Sequence, residues 1–248
     1  MTGSAEPGAV IADLSVVVLC YRAEDHVVPF VSELCDSLER LGIEWELVLV
    51  GNYWPGTADR TPEVVRKLAA GDPRMVAQTE PKQGMMGWDM RHGMEAASGR
   101  RIAVIDGDGQ FPATSVAECY RLIDSQGVEF VSTYRPHRRD GVYRRLMSRT
   151  YNGLFSALFP GLGTRDANSK PKILSRAAYS RMDLHADDWF LDAEMMINVR
   201  RLHLPHAELP VDFYENPDRT SFVGFSAVLE FLRNLAVYRV REFRRAKA

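Results

Sequence analysis

The chain has 248 residues, enough for one large domain or two small ones. Apolar residues make up 46% and charged residues 26%, with a net charge of −2, which fits a globular protein and carries no general signature for nucleic acid. No apolar run reaches the roughly 18 residues that span a bilayer, and Met1–Gly8 lacks the basic and apolar regions of a secretory signal. The three cysteines, Cys20, Cys35 and Cys119, are odd in number and show no metal-ligand spacing, which points to a reducing, cytoplasmic setting.

Residues 1–12 are small and polar and read as a loose leader. Leu14 to Cys20 is a continuous β-branched run, the pattern of a strand buried on both faces. After Tyr21-Arg22-Ala23-Glu24-Asp25, apolar residues at Val27, Phe30, Val31, Leu34, Leu38 and Leu41 predict a helix that Gly42 ends. Trp45 to Val50 predicts a second buried strand, and Gly51 to Thr57 a loop punctuated by Gly and Pro. Pro62 opens a short helix to Ala70, and Arg74 to Gln78 is a weak third strand. Residues 84–97 form a Gly- and Met-rich helix, whose Met85, Met86, Met90 and Met94 suit a core face. Arg101 to Ile105 is a strand, Ala113 to Ser125 a helix, and Val128 to Ser132 another strand. Strands alternating with helices of this length predict an α/β domain with a mainly parallel central sheet covered on both faces.

The strand Arg101 to Ile105 runs straight into Asp106-Gly107-Asp108-Gly109-Gln110, followed by Phe111-Pro112. Side chains at i and i+2 of an extended chain share a side, so Asp106, Asp108 and Gln110 can converge on one point. Two carboxylates and an amide oxygen suit Mg²⁺ or Mn²⁺, which take oxygen ligands and leave room for phosphates. Gly107 and Gly109 lack a Cβ and would let a bulky anion approach the backbone. The plainer reading is an ordinary Asp/Gly turn. In α/β sheets ligands bind beyond the carboxyl ends of the strands, where the Tyr21, Asn52 and Asp106 loops all fall, and this favours the metal site. Neither a GxGxxG fingerprint after the first strand nor a phosphate-binding GxxxxGK[ST] loop is present, so the metal would hold the nucleotide.

These motifs, in this order, resemble the family 2 glycosyltransferases of the GT-A fold, and more narrowly the polyprenyl-phosphate (dolichol-phosphate) mannosyl- and glucosyltransferases. The likeness runs over residues 14–222. It rests on Tyr21-Arg22-Ala23-Glu24, on Lys82-Gln83-Gly84 through Gly99, and on Asp106, Asp108, Gln110 and Pro112. Further on it rests on Tyr134-Arg135, Arg144-Arg145, Asp166-Ala167-Asn168-Ser169-Lys170-Pro171-Lys172 and Phe190-Leu191-Asp192-Ala193-Glu194. Two departures stand out: Gly51-Asn52 replaces the family's paired Asp, and Ala23 takes the usual Glu position, with Glu24 one residue on. The resemblance implies a single GT-A (Rossmann-like) domain over 13–223, with a nucleotide-sugar half (13–112) and an acceptor half (113–223). It implies a UDP- or GDP-sugar donor held by Tyr21, Glu24, Asn52, Lys82, Asp106 and Gly107, a metal on Asp106, Asp108 and Gln110, and inversion at the anomeric carbon.

The acceptor is open at this level. Between Thr133 and Met182 eleven Lys/Arg face only Asp140 and Asp166, which suits a phosphorylated partner as well as a solvated basic face. A lipid phosphate is largely dianionic at neutral pH and needs cations, not a base. Arg135, Arg144, Ser169, Lys170, Lys172, Arg176 and, from a loosely matching loop, Arg219 are the candidates. A small-molecule hydroxyl would instead need a carboxylate base, for which Asp192 or Glu194 could serve beside the catalytic Asp108. A non-catalytic nucleotide-sugar-binding module is a third reading, opposed by the intact Asp106, Asp108 and Gln110. Residues 224–248 predict a basic amphipathic helix with Phe225, Val228, Leu229, Leu232, Leu235, Ala236 and Phe243 on one stripe. Such a helix suits the inner face of a membrane, as a peripheral contact, or packing on the domain or on a second copy in a homodimer.

Overall fold

The computed structural model describes residues 12–136, 142–214 and 225–245, with side chains described outside 142–148, 225–231 and 243–245. The run Leu14–Leu19 forms β1 and is buried along its whole length. Val16 and Val18 enter one core cluster while Val17 and Leu19 enter another, so the strand has no solvent face and must lie inside a sheet. β2 (Trp45–Val50) and β4 (Arg101–Asp106) pair with β1 in parallel, and β3 (Met75–Gln78) pairs with β2. β5 (Phe130–Tyr134), β6 (Lys172–Ser175) and β7 (His206–Pro210) complete a seven-stranded sheet in the order β3-β2-β1-β4-β6-β5-β7. Only β6 runs against its neighbours, so the mainly parallel sheet expected from the alternating pattern is observed.

Helices cover both faces. α1 (Val27–Glu39), α2 (Thr61–Gly71) and α4 (Thr114–Gln126) pack on one side through Phe30, Leu34, Val64, Val65, Val116 and Ile123. Each fully buried Leu or Val side chain contributes about 1.5–3 kcal/mol, which is why α1 buries its i, i+3, i+4 stripe. α3 (Met86–Ala96), α5 (Val142–Leu158), α6 (Arg176–Arg181), α7 (Leu191–Arg201) and α8 (Phe225–Arg245) cover the other side. Met90 and Met94 are fully buried there, as their spacing suggests. α3 approaches the sheet so closely that a Cβ on Gly93 would lie 2.4 Å from Val17 Cγ1.

α8 docks on the domain along a face that includes only part of the expected stripe, whose Phe225, Val228, Leu229 and Phe243 side chains lie outside the described residues. Leu235 is buried, whereas Leu232 is exposed. The inward face carries Asn234, Leu235, Tyr238 and Glu242: Asn234 donates to Asp188 (2.6 Å), Tyr238 to Glu194 (2.6 Å), and Glu242 pairs with Arg200 (3.0 Å). Polar anchors on α7 and the loop before it thus set the helix's rotation, a pairing that apolar periodicity does not encode. Among the described residues, no helix is long and apolar enough to cross a membrane.

Candidate active site

β1, β2 and β4 end level with one another: Leu19 is opposite both Val50 and Asp106. The loops that follow are therefore neighbours, and main-chain bonds join them, from Cys20 N–H to the Val50 carbonyl (2.8 Å) and from Gly107 N–H to the Leu19 carbonyl (2.9 Å). The turn after β1 is tight, with Arg22 (φ 52°) and Glu24 (φ 46°) both left-handed, a conformation that costs non-glycine residues on the order of 1 kcal/mol each. The Glu24 amide is anchored on the Thr61 hydroxyl at 3.0 Å.

Asp106 is the last residue of β4, and its side chain is 28% exposed. Asp108 lies in the turn beyond, where its carboxylate accepts the Gln110 amide at 3.1 Å. Gln110 is tied to Tyr214: the Tyr214 N–H donates to the Gln110 carbonyl (2.8 Å), and the Gln110 side-chain amide donates to the Tyr214 carbonyl (3.3 Å). Nothing in the sequence marks Tyr214 for this. Gly109 has φ 72° and open space around it, so glycine there serves the turn. At Gly107 a Cβ would lie 2.9 Å from Val18 Cγ1, so its bareness serves packing against β1. Among the described residues no group of three or more His, Cys, Asp or Glu could hold a metal. Two half-exposed carboxylates at a strand end fit Mg²⁺ or Mn²⁺ whose remaining ligands come from a diphosphate.

Continuing the antiparallel β4–β6 register from Val104↔Lys172 by two residues puts Lys170 opposite Asp106. The Lys170 ammonium is 2.8 Å from Asp192 and 3.6 Å from Asp106. Lys172, fully buried, bonds the other Asp192 oxygen (2.6 Å) and the Ser169 carbonyl (2.7 Å). Burial pushes the Asp192 carboxyl up, but the two ammonium groups outweigh it and hold it below the usual carboxylate range. Burial works against the Lys170 ammonium, and Asp106 and Asp192 reverse that, raising it above the ordinary lysine range. Burial prevails at Lys172 and lowers it.

Beside the Tyr21 and Asn52 loops, Lys82 and Asp89 form a buried ion pair. Asn52 donates to Asp89 at 3.0 Å and accepts the Glu80 amide at 2.8 Å. Burial pushes Asp89 up and Lys82 down, against their mutual attraction. The Lys82 ammonium also sits 4.7 Å from the Tyr21 ring centroid, so Tyr21, Asn52 and Lys82 form one cluster. The sequence reading missed Asp89; one helical turn of α3 carries it to Asn52, but a carboxylate in a helix gives no sign of burial.

Several expected roles change. Arg176 does not reach the site: it follows the antiparallel strand β6 back to the amino end of β4, where its guanidinium donates to Gly99 (2.8 Å) and Ala97 (2.7 Å). Arg135 forks onto Asp166 at 2.7 and 3.0 Å, with its guanidinium 5.0 Å from the Phe213 ring, so it fastens the loop before β6 instead of meeting solvent. Ser169 is buried against the Thr133 hydroxyl at 2.8 Å. Lys172 is sealed beneath the site, as given above. Glu194 is also buried, and it accepts the His185 and Ala186 amides (3.0 and 2.8 Å) as well as the Tyr238 hydroxyl. It closes the loop before α7 and ties that loop to α8. Arg144 lies on α5 with its side chain outside the described residues, and Arg219 lies outside them altogether.

A mainly parallel α/β sheet whose central strands end together beside the Asn52, Lys82 and Asp89 cluster and a carboxylate pair places a ligand site at the carboxyl ends of those strands. Residues 15–187 match the profile of Glycosyl transferase family 2, and the chain belongs to that family. It is 29% identical over 146 residues to the undecaprenyl-phosphate 4-deoxy-4-formamido-L-arabinose transferase of Pectobacterium atrosepticum, a match over 57% of this chain and 42% of that protein. It is 27% identical over 248 residues to the dolichyl-phosphate beta-glucosyltransferase of Mus musculus, covering 92% of this chain and 75% of that one. The chain thus spans less than half of the bacterial relative. Among solved structures, glucosyl-3-phosphoglycerate synthase of Mycobacterium tuberculosis, in complex with Mn²⁺, UDP and phosphoglyceric acid, superposes with a TM-score of 0.66 at 20% identity, over 92% of this chain and 78% of that one. Mannosyl-3-phosphoglycerate synthase of Rubrobacter xylanophilus gives 0.70 at 17% identity, over 94% and 76%. The fold is the GT-A fold.

Proposed function

We propose that the chain transfers a sugar from a nucleoside-diphosphate sugar to a polyprenyl phosphate, with inversion at the anomeric carbon. The observation that carries the phosphate acceptor is the state of the two carboxylates that could have been bases. Asp192 is buried under two lysines and Glu194 is saturated by two amides and a phenol. An acceptor hydroxyl would need a carboxylate free to take its proton, and neither of these two is free. A phosphate oxygen, already ionised, attacks the anomeric carbon directly as the bond to the leaving diphosphate breaks, and no proton has to move. The naming of both curated relatives after polyprenyl-type phosphates supports the same reading.

In this reading Tyr21 and Glu24 line the donor's nucleoside above the buried Asn52, Lys82 and Asp89, which support them from beneath, while Asp106 and Asp108, with Gln110 beside them, hold Mg²⁺ or Mn²⁺. The metal, when bound, supplies charge neutralisation to the leaving nucleoside diphosphate. The Mn²⁺ and UDP named for the Mycobacterium tuberculosis structure support a divalent metal and a pyrimidine nucleotide in this fold. The outward face of α8, with Leu232, Val237 and Val240 exposed, carries Arg233 and Arg241 and suits an anionic lipid surface where the acceptor resides.

The test is a panel of UDP- and GDP-sugars incubated with the full chain, Mg²⁺ or Mn²⁺, and polyprenyl phosphate. Lipid-linked sugar that forms with metal and is lost with EDTA is expected. Nucleotide binding without turnover on any acceptor would contradict the proposal and leave a binding module.

A further inference from the structure

Asp192 carries one negative charge and meets two buried ammonium groups, at 2.8 Å from Lys170 and 2.6 Å from Lys172. Lys172 alone balances it. A second buried ammonium costs several kcal/mol of lost hydration unless another anion shares it. Asp106, 3.6 Å from Lys170, is that anion. Arg135, which also faces Lys170, is already forked onto Asp166 and leaves the balance unchanged. One surplus positive charge, only 5% exposed, thus stands directly behind the first carboxylate of the Asp106–Asp108 pair.

We propose that Lys170 is a resident counter-charge to Asp106 that keeps the pair from loading a divalent metal until the donor's diphosphate arrives. This rests on the reading of Asp106 and Asp108 as the metal's ligands. A metal entering alone meets two carboxylates, one of them already partly neutralised, with an ammonium a few ångströms behind. A nucleoside diphosphate adds negative charge on the open side and restores the balance. Metal and nucleotide therefore bind together, and each raises the other's affinity by the same factor. The register places Lys170 for this task, since it lies where the antiparallel ladder continues opposite Asp106.

Calorimetry tests the proposal without turnover. Mn²⁺ is titrated into the full chain alone, with UDP and with GDP. For wild type, Mn²⁺ affinity should rise about tenfold or more with whichever nucleotide binds. In Lys170→Met and Lys170→Gln, Mn²⁺ alone should bind roughly tenfold tighter and the gain from nucleotide should shrink. Lys170→Arg, which keeps the charge, should behave as wild type. A wild-type Mn²⁺ affinity indifferent to nucleotide would overturn the proposal, and so would a folded neutral variant whose affinity for Mn²⁺ alone is unchanged or weaker. No Mn²⁺ uptake under any condition, or full uptake by Asp108→Ala, would overturn the metal reading itself and this proposal with it.

Discussion

Asn52 stands where a carboxylate would meet Asp89 at about the 3.0 Å that now separates the two side chains. The paired Asp of the family resemblance is therefore incompatible with this particular α3. Asn52→Asp would lose the amide donor and set two buried carboxylates against each other. It is expected to cost about 2–4 kcal/mol by urea denaturation, and Asp89→Asn in the same chain should recover part of that. Asp192 is a second residue whose role is charge balance. Asp192→Asn takes the shared carboxylate from two buried ammonium groups, leaving Lys172 only the Ser169 carbonyl and Lys170 only the more distant Asp106, and should cost about 3–5 kcal/mol. Because its folded-state pKa is depressed, its contribution is present above the unfolded value of about 3.9 and is lost as pH falls through the folded one. Wild type should accordingly lose stability on acidification below about pH 4, and the Asn variant should lack that part of the acid limb. Residues of this kind are the ones the sequence conceals. Lys82, Arg135, Lys170, Lys172 and Asp192 read from the sequence as ligand-facing groups and Asp89 is not marked at all, and only tertiary pairing buries them.

At the scale of elements, legibility follows burial. β1 and β2 are apolar on both faces, and α1 repeats its apolar residues at helical spacing, so each announces itself. The Asp106–Gln110 turn was legible for the same reason, since an apolar strand delivers it. The sense of β6 was not legible, because Lys172–Ser175 is short and alternation does not encode direction. That single reversal puts Lys170 beside Asp106 and carries Arg176 to the far edge. The contact between α3 and the loop before α7 was equally hidden. A Cβ on Gly87 would lie 2.4 Å from the Asp188 carbonyl and 2.6 Å from that of Ala186, while the Asp187 carbonyl accepts the Met85 and Trp88 amides. Gly87→Ala should cost about 1–3 kcal/mol through overpacking and should weaken nucleotide binding, as seen by thermal shift and calorimetry, because the same helix carries Asp89. The α8 anchor reaches that loop from the other side through Asn234 and Asp188.

Across the whole molecule, one edge of the sheet gathers the chemistry. The parallel strands β1, β2 and β4 end beside Asp106 and Asp108, and the start of the antiparallel β6 brings Lys170 and Lys172 to the same edge. α8 lies against α7, and its outward side presents Leu232, Val237 and Val240 with neighbouring arginines. If that side rests on a membrane, vesicles rich in anionic lipid should retain the full chain and release it at high salt. Arg233→Gln with Arg241→Gln should weaken that retention by about 2 kcal/mol, roughly thirtyfold, while leaving nucleotide binding in solution unchanged. Equal retention on neutral vesicles would refute the electrostatic part.

The central claim is transfer to a phosphate without a general base. Its most direct test offers the chain, with metal and the nucleotide-sugar it accepts, two acceptors that differ in one group: a polyprenyl phosphate and the polyprenol of the same length. The account predicts glycosylated product from the phosphate alone, with a rate that does not follow the titration of a carboxylate base. Comparable transfer to the alcohol would contradict it.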